Sequence, residues 1–384
     1  MSDSKNNSHI IIDNGIGYCK VGLSDSEPDS YSSPYIFPNY ILKPKFKKFF
    51  GYNIKDFYIG SFIENLNETK KKIYNLVCYP NEYGMITNWE DIENIWEYIF
   101  KDKLNVESNE HNVMITEPLM NPKINREKIA QIMFEKFDVP GLFIANQCAL
   151  SLFYFGKTVG YVIDSGESIT QFAPVFDGYV LTHSARKINL GGKNINDYLM
   201  NILSENSTFD FKNNQNIVNY IKEKFCYVPL NYYDKEKNDE NYELPDGTKI
   251  LLKEELFKAP DFLFSPEKNK KIFSITQDGI HKICHYSIMS TEPDIRKDLY
   301  ENIFLSGGNT SFLYFRLRLE DEIKYLLYHN YHININNDVK NYYPYENVWK
   351  GGKILSSLSI FNSMWITKEE YKEYGNWIVH KKCF

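Results

Sequence analysis

The chain has 384 residues, 43% hydrophobic and 24% charged, the composition of a folded protein too long for one ordinary core and suited to two α/β domains or one bilobed body. Its 44 basic and 50 acidic residues leave a net charge of −6, so nucleic acid is not expected as the main ligand. The six cysteines form no C-x-x-C pair, no apolar run could span a bilayer, and Met1–Ser8 is polar where a secretory signal needs an apolar core, so reduced thiols and a cytoplasmic or nuclear location are expected without disulfides, zinc or a membrane span.

The first predicted element is a strand at Ile10–Ile12 that runs into Asp13, with Gly15 two positions later letting the backbone turn straight back. Helical spacing follows at Trp89–Lys101, where Ile92, Ile95, Trp96 and Ile99 share a face, and again at Asn125–Phe137. A second strand, Tyr161–Ile163, ends in Asp164 with Gly166 two positions on, and a helix is predicted at Ile195–Leu203. Hairpin before helix, twice over, predicts two related α/β halves. A tight Gly-bearing turn exposes backbone N–H groups to anionic oxygens, and the aspartate beside it offers a hard oxygen to Mg²⁺, directly or through water. Either hairpin alone is an ordinary turn. Found twice, with Lys20 placed to meet phosphate charge, they read as a duplicated clamp for a nucleotide polyphosphate.

The segment Asp13–Gly22, reading Asp-Asn-Gly-Ile-Gly-Tyr-Cys-Lys-Val-Gly, resembles the first phosphate loop of the actin family, and Val162–Gly166 resembles the second. Tyr79–Gly84, Thr87–Trp89, Thr116–Pro122, Gln131–Glu135, Tyr242–Gly247, Asp294–Tyr300 and His380–Phe384 resemble segments of that family in the same order, so the resemblance runs from Ile12 to the last residue. It implies an α/β, bilobed ATPase fold of the actin, heat-shock-chaperone and sugar-kinase type, with two related halves around a nucleotide cleft. By the same resemblance, residues 1–154 and 347–384 form the first lobe, with an insertion at about 35–79. Residues 155–346 form the second, with an insertion at about 191–283.

The resemblance further implies ATP or ADP with Mg²⁺ (or Ca²⁺) as cofactors. Asp13, Gly15, Lys20, Gln147, Asp164 and Gly166 stand at positions that bind phosphate, the cation or its water shell, with Asp13, Asp164 and Gln147 on the metal side and Gln147 positioning water. Gly192, Lys222, Glu223 and the turn Leu305–Asn309, with Gly307, Gly308 and Asn309, match the pattern for base and ribose. Several positions depart from the family. Ile16 replaces a serine that bonds the terminal phosphate, Glu167 and Ser168 replace an Asp-Gly pair, and Gln171 replaces a histidine that helps to position the attacking water. Losing a group that orients water typically costs about 10²–10⁴ in rate, so slow or absent ATP hydrolysis is expected. Ser311, Phe312 and Tyr345 differ from the family's Met, Tyr and Lys near the base, which implies altered adenine packing.

Polymer contacts depart as well. The first insertion carries a basic, aromatic loop at Lys43–Tyr52, and the segment matching the family's apolar plug, Pro266–Phe273, is strongly cationic. Unpaired lysines at a subunit contact are unfavourable unless acids meet them. Phe153, Gly156, Thr158, Ile354, Leu355, Leu358 and Met364 correspond to the apolar cleft where actin-binding proteins insert a helix. The expected function is therefore a divergent, adenine-nucleotide-binding, actin-like subunit of a cytoskeletal or multi-subunit assembly, with actin-like or actin-binding partners and weak homopolymerisation. The alternatives are a nuclear actin-related subunit of a chromatin complex and an active ATPase of the same superfold.

Overall fold

A computed structural model describes residues 8–24, 33–44, 55–64, 66, 74, 76–207, 209–212, 214–230, 239–244, 247–269, 277–327, 331–336 and 343–383. The chain divides into two compact units, Met1–Lys157 with Glu346–Phe384, and Thr158–Tyr345.

In the first unit, Ile10, Ile11 and Ile12 are all fully buried because their strand is covered on both faces, as a parallel-paired strand must be. Strand Ile10–Asn14 lies parallel to Val113–Glu117 and antiparallel to Tyr18–Leu23. The sheet runs in the order Ile366–Thr367, Gly141–Asn146, Val113–Glu117, Ile10–Asn14, Tyr18–Leu23, Tyr35–Pro38. Residues 35–38, expected at the start of the first insertion, are thus the outer strand of the large sheet, with Tyr35 opposite Val21. The insertion's own sheet is small and joins Tyr58–Ile59, Ile41–Lys43 and Leu76–Cys78.

Helix Trp89–Tyr98 presents Ile92, Ile95 and Trp96 to this core, and Asn88 caps it by accepting the Asp91 N–H. The predicted helix continues past Tyr98 as wider π-type turns, Ile99–Leu104, until Asn105 takes a left-handed conformation at φ 52°. The helix expected at Asn125–Phe137 likewise runs Lys123–Gln131 and then widens over Ile132–Lys136. From the far end of the chain, helix Asn347–Ser357 packs on Gln147–Tyr154 so closely that a Cβ on Gly351 would lie 1.8 Å from the Leu150 carbonyl oxygen. Its Trp349 indole is buried and donates to the Ile11 carbonyl at 3.2 Å, and its ring occupies the space beside Gly22. Cys383 is fixed twice, its carbonyl by Arg126 Nη1 at 2.9 Å and its Sγ by the Ile144 N–H at 3.3 Å.

The second unit repeats the plan. Its sheet runs Tyr179–Val180, Thr170–Phe176, Gly160–Ser165, Ile303–Ser306, Ile335–Asn336, and Arg186–Ile188 also pairs with the strand Thr170–Phe176. A hairpin is again followed by a strand parallel to its first strand. The helix predicted at Ile195–Leu203 extends over Gly192–Asn206. Tyr161, Phe172, Leu199, Phe262, Tyr300 and Phe315 are buried in one core. The six cysteines are free thiols. Among the described residues, no helix is long and apolar enough to cross a membrane.

Candidate functional site

Each hairpin builds a polar cluster at its turn, and each cluster lies within one unit. In the first, Asp13 is 1% exposed and faces three partners. Lys20 Nζ lies 3.0 Å from its Oδ2, while Thr116 Oγ1 donates to Oδ1 at 2.8 Å and Gln147 Nε2 donates to the same oxygen at 3.3 Å. Register places Lys20 directly across the hairpin from Asp13, so the pair follows from a turn of fixed length. Gln147 comes from the first turn of helix Gln147–Tyr154, which Asn146 caps by accepting the Cys148 and Ala149 N–H groups. The turn between the strands is held by Asn39, whose Nδ2 donates to the Gly15 carbonyl at 2.7 Å and whose N–H donates to the Gly17 carbonyl at 3.0 Å. A Cβ at Gly15 would sit 2.5 Å from the Tyr18 carbonyl oxygen and 3.1 Å from Lys20 Nζ. The glycine is thus required by space.

In the second unit, Asp164 accepts from Gln171 Nε2 at 3.0 Å, across the same register position. Gly307 passes close to Asp164: its φ is +84°, and a Cβ there would lie 2.3 Å from the Ser165 carbonyl oxygen and 2.6 Å from Asp164 Oδ1. Asn309 Nδ2 donates to Ser165 Oγ at 3.1 Å and to the Gly166 carbonyl at 2.7 Å, which ties the Leu305–Asn309 turn to the hairpin. The start of helix Gly192–Asn206 is pinned to the same turn, with Gly192 N–H on the Gly166 carbonyl at 3.0 Å and Lys193 N–H on the Glu167 carbonyl at 2.7 Å. Lys222, on helix Gln215–Phe225, is buried and places Nζ 3.8 Å from Glu167 Oε2. Burial pushes the Glu167 carboxyl above its usual range, and Lys222 pulls it back in part.

Of the residues singled out from the sequence, Asp13, Gly15, Lys20 and Gln147 therefore share one cluster, and Asp164, Gly166, Gly192, Lys222, Gly307 and Asn309 share another. Glu223 is exposed and Gly308 borders open space. Thr116 and Asn39 had no role assigned from the sequence, yet each holds part of the first cluster. The signal for Thr116 is its place at the end of an apolar strand; only the pairing of Val113–Glu117 beside Ile10–Asn14 brings it to Asp13.

Of the loops expected to govern self-assembly, residues 45–52 and 270–273 lie outside the described residues, as do the side chains of Lys268 and Asn269. Lys43 is described, and it pairs with buried Asp91 at 2.6 Å. Among the cleft positions of the first unit, Phe153, Leu355 and Met364 pack against the core, while Ile354 and Leu358 are 37% and 45% exposed. Helical spacing alone would have placed Leu358 in the core. Helix Asn347–Ser357 ends just before it, which leaves it at the surface.

A family model described as Actin matches residues 4–384.

Proposed function

Because the chain belongs to the actin family, we propose that it is a divergent actin-like subunit of a cytoskeletal or multi-subunit assembly that binds ATP or ADP with a divalent cation, turns it over slowly and assembles poorly with itself. The observation that carries the reading is the pair of hairpins, each with a buried aspartate held by its cross-strand neighbour and with a glycine two positions on, and in the first of them only glycine fits the turn. The donor set suits the cofactor. Carboxylate and amide oxygens are the ligands that hard divalent cations take, and close-packed glycines let backbone N–H groups approach phosphate. Asp13, Gln147 and Asp164 would hold the cation through its water shell, and the cation would neutralise phosphate charge.

Lys20, Gly15 and Gly166 would meet the phosphates, and Gly192, Lys222, Glu223, Gly307, Gly308 and Asn309 the ribose and base. Slow turnover is supported by Gln171. Its amide nitrogen donates to Asp164, and an amide cannot exchange a proton with water as an imidazole can. Weak self-assembly rests on the sequence of the two lysine-bearing loops. A cytoplasmic, cytoskeletal location is the reading adopted, with the nucleus as the second. Calorimetry with MgATP and MgADP tests the binding reading, and heat of binding that disappears in Asp164→Asn is expected. Absence of binding at millimolar nucleotide overturns it.

A further inference from the structure

On the reading that the two hairpins hold a nucleotide, we infer that Asn39 and Asn309 are the residues that position them for phosphate. Each pins the carbonyl of its own unit's hairpin glycine to one side of the turn, which aims the next backbone N–H to the other side.

The two holds match atom for atom. Asn39 Nδ2 donates to the Gly15 carbonyl at 2.7 Å, Asn309 Nδ2 donates to the Gly166 carbonyl at 2.7 Å, and each glycine stands two positions after its aspartate. A carbonyl can only accept, so the amide atom facing it is the nitrogen. Both asparagines are buried, at 0% and 6% exposure. They reach their turns by different routes. Asn39 follows the outer strand Tyr35–Pro38, which pairs antiparallel with Tyr18–Leu23, whereas Asn309 follows strand Ile303–Ser306, which lies parallel to Gly160–Ser165. The same bond made from two places in the topology is not a by-product of the repeated hairpin.

Geometry turns each hold into a direction. The C=O and N–H of one trans peptide point opposite ways, and glycine leaves its own ψ loosely constrained, so the plane that follows it needs an outside anchor. With the Gly15 carbonyl drawn to Asn39, the Ile16 N–H faces away from Asn39. With the Gly166 carbonyl drawn to Asn309, the Glu167 N–H faces away from Asn309. Neither N–H has a hydrogen-bond partner among the described residues, which leaves both for an anionic oxygen. Ile16 has no side-chain donor, so its backbone N–H is all that this position can offer. The holds differ in strength. Asn39 adds a second bond, from its own N–H to the Gly17 carbonyl at 3.0 Å, while the Gly166 carbonyl also receives the Gly192 N–H at 3.0 Å and so depends less on Asn309.

Calorimetry with MgADP, together with amide NMR of the full chain at saturating MgADP, tests the assignment. Glycine labelled at its carbonyl carbon, with nitrogen-labelled isoleucine and glutamate, confines the spectrum to Ile16, Glu167 and Ile280. Ile280, whose N–H is bonded to the Leu263 carbonyl at 3.0 Å, is the reference. MgADP should move the Ile16 and Glu167 signals and leave Ile280 in place. Asn39→Leu should abolish the movement at Ile16, spare that at Glu167 and weaken MgADP binding by about tenfold; Asn309→Leu should reduce the movement at Glu167, spare that at Ile16 and weaken binding by about threefold. If one variant does not fold, the other decides. A merely structural role would disturb both signals in each variant. That result, an unchanged movement in the turn whose asparagine is replaced, or a parent that binds MgADP while neither signal moves would each overturn the assignment and leave the nucleotide reading standing. A parent that binds no MgADP overturns the nucleotide reading, and this assignment with it.

Discussion

Lys20 and Gln171 are register equivalents: each lies directly across its hairpin from an aspartate, and each bonds that aspartate at 3.0 Å. One repeat thus neutralises its buried carboxylate with a cation, and the other supports its carboxylate with a neutral amide.

This difference has a measurable consequence. Lys20→Met leaves Asp13 buried without its counter-charge and should cost about 3 kcal/mol in urea unfolding, because breaking a buried pair strands the remaining charge. Gln171→Met removes one neutral donor and should cost about 1 kcal/mol. Equal costs would mean that the two aspartates feel the same field. Lys20→Met should also reduce the rise in melting temperature given by MgATP, which follows from mass action.

Turnover is the second point of test. Single-turnover phosphate release should be slower than in conventional actin, and Gln171→His should raise it by about tenfold or more by supplying an imidazole where the amide now stands. A parent rate at or above that of actin, or no gain in the variant, would count against the role given to this position.

The two hairpins, the halves they begin and most residues around them were legible in the sequence because they depend on local pattern: an apolar run, an aspartate, a glycine two positions on. What pattern could not give was Thr116, whose hydroxyl reaches Asp13 across 103 positions of chain through strand pairing alone. Nor could it separate Lys222 from Glu223. They are neighbours in sequence, but the turn of the helix buries the first beside Glu167 and leaves the second exposed. The widening of two helices into π-type turns, Ile99–Leu104 and Ile132–Lys136, likewise carries no mark in the spacing of their apolar residues.

Packing at the helix from the chain's far end predicts a graded glycine series. Gly351→Ala must displace the backbone of Leu150 and should cost about 3 kcal/mol or more. Gly156→Ala meets no atom within 4 Å but must hold φ at +66°, and should cost about 1 kcal/mol. Thermal unfolding of the two variants orders them, and the reverse order would refute the packing.

Acid should weaken the fold before its carboxylates titrate. His9, His281 and His285 are each lowered from 6.5, with burial the largest cause in all three; Glu322 and Glu267 oppose the shift at His281, while Lys282 and Arg318 add to it. The unfolded chain therefore binds protons first. Stability is intact above pH 6.5 and is lost as the pH falls through the lower folded values. Urea midpoints should drop between pH 7.5 and 5.5, and His9→Gln should recover part of the loss. A flat profile would show that these rings titrate alike in both states.

Self-assembly can be checked without reference to the fold. The purified chain should form no long homofilaments by electron microscopy, and replacing 45–52 and 266–273 with actin-like sequence should raise assembly by removing Lys45, Lys47, Lys48, Lys268, Lys270 and Lys271. Added salt alone should help only in so far as exposed charges repel. Robust filaments from the parent would refute the expectation.

The hydrogen bond from Trp349 to Ile11 joins positions 338 apart, and it imposes an order on synthesis. The second unit is continuous in sequence and can close as soon as Tyr345 is available, but the first unit has its opening strands made early and their cover made last. At ~5–20 residues per second, translation of the intervening unit takes roughly 10–40 s. Throughout that time Ile11, Gly22 and Leu150 wait for a helix that does not yet exist, so the newborn chain carries an apolar sheet that some other surface must shelter.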